Sequence, residues 1–283
     1  MYLQKLRLIV LLALVGSLCS AAIPNFTGVI TASRVLAQTV DERKAEANRL
    51  FIQGREQFKA SQYKAALQSW QQALIVYREL KNRQGEAWAL GSIGLVYKST
   101  GNYDKAIDYS EQALAIAREI KDRDIEASAL VNIGNAYRNL GNYSKAIDYY
   151  ERVLAISTEI NNGNIEGKTL GNLGNAYHNL GDYSKAIDYY KQHLRLARQI
   201  KDRNSQGNAL GNIGIAYDSQ KKYSKAIDYY EQSLTIAREI QDRRSEGITL
   251  GNLGIAYQNL GEYSKAINYF EQHLAIAREI KIR

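Results

Sequence analysis

Cysteine and proline are almost missing from this chain. Each occurs once in 283 residues, as Cys19 and Pro24, and both fall in the first 37 positions. After Ala37 there is no disulfide, no thiol nucleophile and no cysteine-based metal site, and no residue that breaks a helix by withholding its amide donor. Histidine is nearly as scarce, with only His178, His193 and His273. No cluster at metal-ligand spacing surrounds them, and no nucleophile, paired acid and base or cofactor loop recurs. The sequence therefore gives no reason to expect a metal, a cofactor or an enzyme.

Negative charge is missing from the start of the chain, where no acidic residue precedes Asp41. Lys5 and Arg7 stand before the apolar run 8–18, which small residues follow, and this is the layout of a secretory signal. Residues 1–37 are expected to be that signal, which makes the protein exported, periplasmic or otherwise extracytoplasmic. Cleavage fits after Ala22 ("SAA") or after Ala37 ("VLA"); the second is favoured because a helical pattern, "DERKAEANRLF", begins directly afterwards. An uncleaved anchor over residues 6–23 is the alternative, and only then is a membrane a partner. Leu18 before Cys19 argues against a lipoprotein. The leader holds three of the 37 basic residues, so much of the net charge of +8 lies outside the remainder. Charges there are interleaved, as in Lys185 with Asp188 on one helix face, and a nucleic acid is not an expected partner.

What the chain has in plenty is repetition. Tyr63, Tyr103, Tyr143, Tyr183, Tyr223 and Tyr263 stand 40 apart, as do Gly54, Gly94, Gly134, Gly174, Gly214 and Gly254. Residues 38–283 thus read as six units, approximately 44–83, 84–123, 124–163, 164–203, 204–243 and 244–283. Such a period signals a solenoid in which each unit buries its apolar face on its neighbours. Leu170, Leu173, Gly174 and Tyr177 fall at helical spacing, and Ala186, Ile187, Tyr190, Leu194 and Ala197 continue it after "GDYS". Each unit is expected to be two helices, with Gly181 as a left-handed cap, Ser184 or Asp182 opening the second helix, that helix running to about Ile200, and Asp202 capping the next unit. Gly174 is expected to admit a neighbouring helix over Ala186, and Gly171 to leave room for a ligand backbone.

The pattern L-x-x-L-G-x-x-Y-x-x-x-G-x-Y-x-x-A-I-x-Y-Y-x-x-x-L, carried through residues 44–283, resembles the tetratricopeptide repeat. The units are longer than the usual length of about 34 residues. Arg78, Arg118, Thr158, Arg198, Arg238 and Arg278 stand where a helix-ending proline is common. The long form is similar to the repeats of Partner of Inscuteable spindle adaptors and, more loosely, of kinesin light chains. With an export signal ahead, it is similar to bacterial and particularly cyanobacterial proteins, some of which continue into a CHAT protease domain. The resemblance implies an all-α chain: an α-solenoid of six helix-turn-helix units in a right-handed superhelix, with a concave peptide-binding surface lined by each first helix.

Comparison of the copies then separates constant columns, expected in the core, from a variable first-helix stripe expected to read a partner. In unit four the stripe is Lys168, Gly171, Asn175 and His178, which share one face. Its expected contributors elsewhere are Arg55, Trp88, Lys98, Asn135, Arg138, Ile215 and Ile255. Asn132, Asn172, Asn212 and Asn252 lie beside them, since a side-chain amide can pair with an extended main chain. The pair Asn135 and Asn172 resembles the asparagines of carboxylate-clamp repeats, but Val131 and Gly171 stand where that clamp has a lysine. His193, His273, Tyr149, Tyr189 and Tyr229 read as packing residues. The expected function is a non-enzymatic protein- or peptide-binding scaffold for an extended acidic segment. The alternative is a regulatory or sensor component of a larger enzyme system such as a CHAT-type protease. Weak end-to-end self-association is expected through the last helix, which has no polar cap.

Overall fold

The computed structural model describes the backbone of residues 26–282 and the side chains of residues 39–280. Most of the expected signal, including both its cysteine and its proline, lies outside the described residues. The chain divides into two compact units, Met1–Glu46 and Ala47–Arg283. Twelve helices are described: α1 (Phe26–Lys59), α2 (Tyr63–Glu79), α3 (Arg83–Ser99), α4 (Tyr103–Glu119), α5 (Arg123–Asn139), α6 (Tyr143–Glu159), α7 (Gly163–Asn179), α8 (Tyr183–Gln199), α9 (Arg203–Ser219), α10 (Tyr223–Glu239), α11 (Arg243–Asn259) and α12 (Tyr263–Ile282). In the first compact unit α1 runs without a break through Ala37, and Arg43 Nη1 donates to Glu46 at 2.6 Å, one turn on. No helix of the described residues is long and apolar enough to cross a membrane.

The second compact unit is an α-solenoid whose construction repeats every 20 residues, half the sequence period. Odd-numbered helices are the first of each pair and even-numbered ones the second. Eight N-cap residues, among them Asn142, Asp182 and Asp202, accept a hydrogen bond from the amide three residues on and satisfy a donor that the helix start leaves unpaired. Before each cap stands one residue with positive φ, either a glycine such as Gly181 (φ +81°) or a side-chain-bearing residue such as Lys201 (φ 57°). The amide that follows bonds back to the previous helix, Asp182 N to Tyr177 O at 3.0 Å and Asp202 N to Ala197 O at 2.9 Å. Gly181, Asp182 and Asp202 thus do what their sequence positions imply. Turns from a second helix to the next first helix use Lys81, Lys121, Asn161, Lys201 and Gln241 in the same left-handed conformation, a role their residue types do not announce.

Between the helices of a pair, the invariant glycine is covered by an aromatic ring at five of its six positions and by the Ser110 hydroxyl at Gly94. A Cβ built on Gly134 would stand 2.7 Å from the Tyr150 ring, one on Gly54 would meet Trp70, and one on Gly254 would meet Phe270. Close approach is therefore the reason for the glycine, but at Gly174 the covering group is Tyr190, not Ala186, which is buried elsewhere in the same interface. Tyr97, Tyr137, Tyr177, Tyr217 and Tyr257 each stack on a tyrosine of the following helix with centroids 5.3–5.5 Å apart. Tyr149, Tyr189 and Tyr229 are three of those five partners, so they pack between helices as expected. A lysine lies over the outer face of each stack, for example Lys185 over Tyr177 at 5.1 Å; its acidic partner is Asp182 at 3.5 Å, not Asp188.

Successive units are joined by a relay of guanidinium and carboxylate groups. Arg118 at the end of α4 and Arg123 at the start of α5 hold Glu126 at 2.9 and 2.8 Å, and Arg123 reaches on to Glu159 of α6 at 2.8 Å. The same four-residue relay recurs with Arg78, Arg83, Glu86 and Glu119, and with Arg238, Arg243, Glu246 and Glu279. Where α6 meets α7 and α8, the corresponding residues are Thr158, Gly163, Glu166 and Gln199, and the relay is gone.

Candidate functional site

Two cavities lie on the face made by the first helices, beside a minor one of about 40 Å³ at Gly167 and His193. The larger, about 320 Å³, lies across α3, α5 and α7 and is walled by Trp88, Gly91, Leu95, Val131 and Ile165, with Asn132, Lys168 and Thr169 as its polar rim. The smaller, about 120 Å³, lies between α9 and α11 and includes Asn212, Ile215 and Asn252. Trp88 is 39% exposed although it lines the larger cavity, so part of its ring is available to a partner. The volume is at the low end of ligand pockets, which run from about 300 Å³ upward, and suits one or two side chains of a polypeptide better than a cofactor.

Positive charge gathers beside this cavity. Lys98, one turn beyond Leu95 on α3, is half-buried, and burial together with the nearby Arg138 guanidinium lowers its pKa. Neither side chain makes an ion pair among the described residues, and Lys168 also has no carboxylate partner. An ammonium and a guanidinium held together without a counter-ion favour an anion over the free state. Further along, the sequence expectation needs correction at His178. Burial lowers its pKa, so it adds no positive charge at neutral pH, and its Nε2 lies 3.0 Å from Ser219 Oγ. That hydroxyl donates to Ile215 O at 3.0 Å, so the imidazole is not drawing off its proton, and the pair is not a nucleophile with its base. In the next unit Asp218 has a buried carboxylate oxygen without a hydrogen bond, and burial raises its pKa.

Other expectations change with the side chains in view. Asn135 and Asn175 each accept a hydrogen bond from a tyrosine of the second helix, Tyr150 at 2.8 Å and Tyr190 at 2.7 Å. Their side-chain carbonyls are thus already used, and only their amide N–H groups remain to donate to a partner. At Gly171 the His193 ring lies 3.5 Å from where a Cβ would be, an ordinary contact that narrows the space on that side; Gly251 and His273 repeat the arrangement. Arg55 lies exposed beside Glu56 at 3.4 Å, away from both cavities. Asn132 reaches only Gly91 O, at 3.4 Å, while Asn172, Asn212 and Asn252 make no hydrogen bond to the described protein. Ile215 and Ile255 are exposed, as a surface for apolar contact requires. The cavity also uses Ile165 and Thr169, which were not singled out. The signal for Ile165 was present, since its column changes from Gly85 through Ile125 to Ser205.

The tetratricopeptide repeat family model matches residues 57–119, 92–159, 125–199, 166–239 and 205–279. The chain belongs to the tetratricopeptide repeat family. Solved structures share its fold at low identity. BtubC (BKLC) from P. vanneervenii is 19% identical, with a TM-score of 0.66 over 86% of this chain and 92% of that one. A signal transduction ATPase with numerous domains and a tetratricopeptide repeat sensor, from Pyrococcus horikoshii, is 19% identical with a TM-score of 0.74, over 90% of this chain but only 39% of that one. A Rap protein complexed with competence and sporulation factor is 15% identical with a TM-score of 0.61, over 87% and 80%. No curated protein sequence matches the chain. The tetratricopeptide repeats here form a scaffold of the kind that binds proteins and peptides.

Proposed function

We propose that the protein is a non-enzymatic scaffold whose first-helix face holds an extended acidic segment of another protein. The observation that carries this reading is the pair Lys98 and Arg138, without counter-ion, beside an apolar cavity lined by Trp88, with Lys168 on its rim. A segment at about 3.3 Å per residue can span several first helices, placing an apolar side chain against Trp88 and carboxylates on the three cations. Exposed pairs contribute below about 1 kcal/mol each, so several must act together and salt must weaken them. The test is fluorescence anisotropy with a labelled peptide of alternating leucine, glutamate and aspartate. Arg138→Glu with Lys168→Glu should weaken binding at least about tenfold, as expected for the loss of about 1.4 kcal/mol. Lys185→Glu, on the second helix, should not. Equal affinity of both variants would remove the site.

Export completes this reading, with processing after Ala37 before α1 folds; N-terminal sequencing of the protein from the cell envelope checks it, and an intact Met1 there would reverse it. A regulatory or sensor role is the second reading, favoured by the sensor repeats of the Pyrococcus horikoshii ATPase. A larger enzyme system, such as one with a CHAT-type protease, would then be the partner.

A further inference from the structure

One column of the first helices changes sign along the array. From α1 to α11 it reads Phe58, Lys98, Arg138, His178, Asp218 and Gln258, each in the last turn of its helix. The four middle members are half-buried, and neighbouring first helices touch from α3 through α11, so the four form one row across the groove face. Lys98 and Arg138 open the row with positive charge and no counter-ion, and His178 follows as a neutral ring.

Asp218 closes the row as the counterpart of the cationic pair. One of its carboxylate oxygens is shut off from solvent without a hydrogen bond, it forms no ion pair with any described residue, and burial alone moves its pKa. The tyrosine beside it is also altered in setting. Tyr230 covers Gly214 as Tyr150 covers Gly134 and Tyr190 covers Gly174, but where Asn135 and Asn175 accept the hydroxyls of those two rings, unit five has Ile215. The fifth unit thus replaces a neutral amide with an isoleucine and adds a bare carboxylate. A half-buried anion of this kind costs free energy that a donating cation would recover.

We propose that the segment held by the groove is dipolar: besides carboxylates facing Lys98 and Arg138, it carries an arginine or lysine that pairs with Asp218 two units further on. The inference rests on the acidic-segment reading given above and adds a charge order to it. With packed helix axes about 8–10 Å apart, Arg138 and Asp218 are separated by about 16–20 Å, which an extended chain covers in about five or six residues. A segment acidic throughout, or docked with its charges reversed, sets like charges together, and that is how a surface rejects wrong partners. A metal ion is a poorer occupant, since no group of three metal-ligating side chains gathers among the described residues.

Fluorescence anisotropy with three labelled peptides tests the pairing. All share a core of alternating leucine, glutamate and aspartate. The first has arginine about six positions beyond the core at each end, so that either chain direction reaches Asp218; the second has glutamine at those positions, and the third has its arginines directly beside the core. The protein should bind the first at least about tenfold tighter than the second or third, a difference of about 1.4 kcal/mol. Asp218→Asn should erase the advantage and Asp218→Lys should reverse it in favour of the glutamine peptide, both with an unchanged helical circular-dichroism spectrum. An arginine peptide no tighter than the glutamine one, an equal gain from either arginine placement, or a preference that survives Asp218→Asn overturns the proposal. In each of those cases the glutamine peptide, compared on wild type and on Arg138→Glu with Lys168→Glu, still judges the acidic-segment reading by itself. Binding of none of the three peptides removes both.

Discussion

Gly174 and Gly171, three residues apart on α7, carry the same side chain for different reasons. At Gly174 a methyl group would fall inside the Tyr190 ring, whereas at Gly171 it would meet His193 at the ordinary distance of 3.5 Å. Gly174→Ala is therefore expected to destabilise the protein by about 1–3 kcal/mol, the usual range for overpacking. Gly171→Ala should be neutral or stabilise by up to about 1 kcal/mol, the helix-propensity gain over glycine. Urea unfolding of the two variants side by side checks the pair, and equal losses would refute it. The invariance of the Gly174 column was legible in the sequence, but its covering ring was not, because periodicity reports a face and not the neighbour that fills it. The same limit explains the variable column of Asn135, Asn175, Ile215 and Ile255. Asparagine there accompanies Tyr150 and Tyr190, and Ile255 accompanies Phe270, so part of the variation follows the partner helix and not a ligand.

At the scale of elements, the 40-residue period and the paired helices followed directly from repeated tyrosines, glycines and caps. The relay between pairs did not, since it joins residues up to 36 apart in sequence. Its buried member, Glu126, shows how much hangs on it. Burial pushes its carboxyl up, but hydrogen bonds from Arg118 and Arg123 outweigh this and hold the pKa below its ordinary 4.5. A carboxylate depressed on folding contributes stability that is present above its unfolded value and lost as pH falls through its folded one. The array should thus weaken progressively below pH 4.5. Glu126→Gln should cost roughly 1–3 kcal/mol at pH 7 and lose less than wild type on acidification, as thermal melts from pH 7 to 3 would show. An undiminished acid loss in the variant would mean that other carboxylates dominate.

Across the whole molecule, stability is a sum of units and their neighbour interfaces, and α12 exposes two apolar columns that the earlier second helices bury. Ile267 and Leu274 of α12 are 58% and 48% exposed, although Ile107, Ile147, Ile187 and Ile227 in the first column and Leu114, Leu194 and Leu234 in the second are buried. Weak self-association through α12 is accordingly expected to be apolar in character and insensitive or favourable to salt. Ile267→Ser with Leu274→Ser should abolish it in sedimentation at 500 mM NaCl; an unchanged profile would remove α12 from it. The relay missing around Gly163 has a different consequence. The joint before α7 keeps no ion pair of the relay, whereas the joint before α9 keeps Arg203 to Glu239 and the other three keep the whole relay; the 320 Å³ cavity bridges this most compliant joint, with Ile165, Lys168 and Thr169 on α7 and the other walls on earlier helices. A segment lying in that cavity would act as a splint. Amides of α6 and α7 should exchange with deuterium sooner than those of α4 and α5 in the free protein, and slow once the acidic peptide is bound, so that occupancy is converted into stiffness of the whole array.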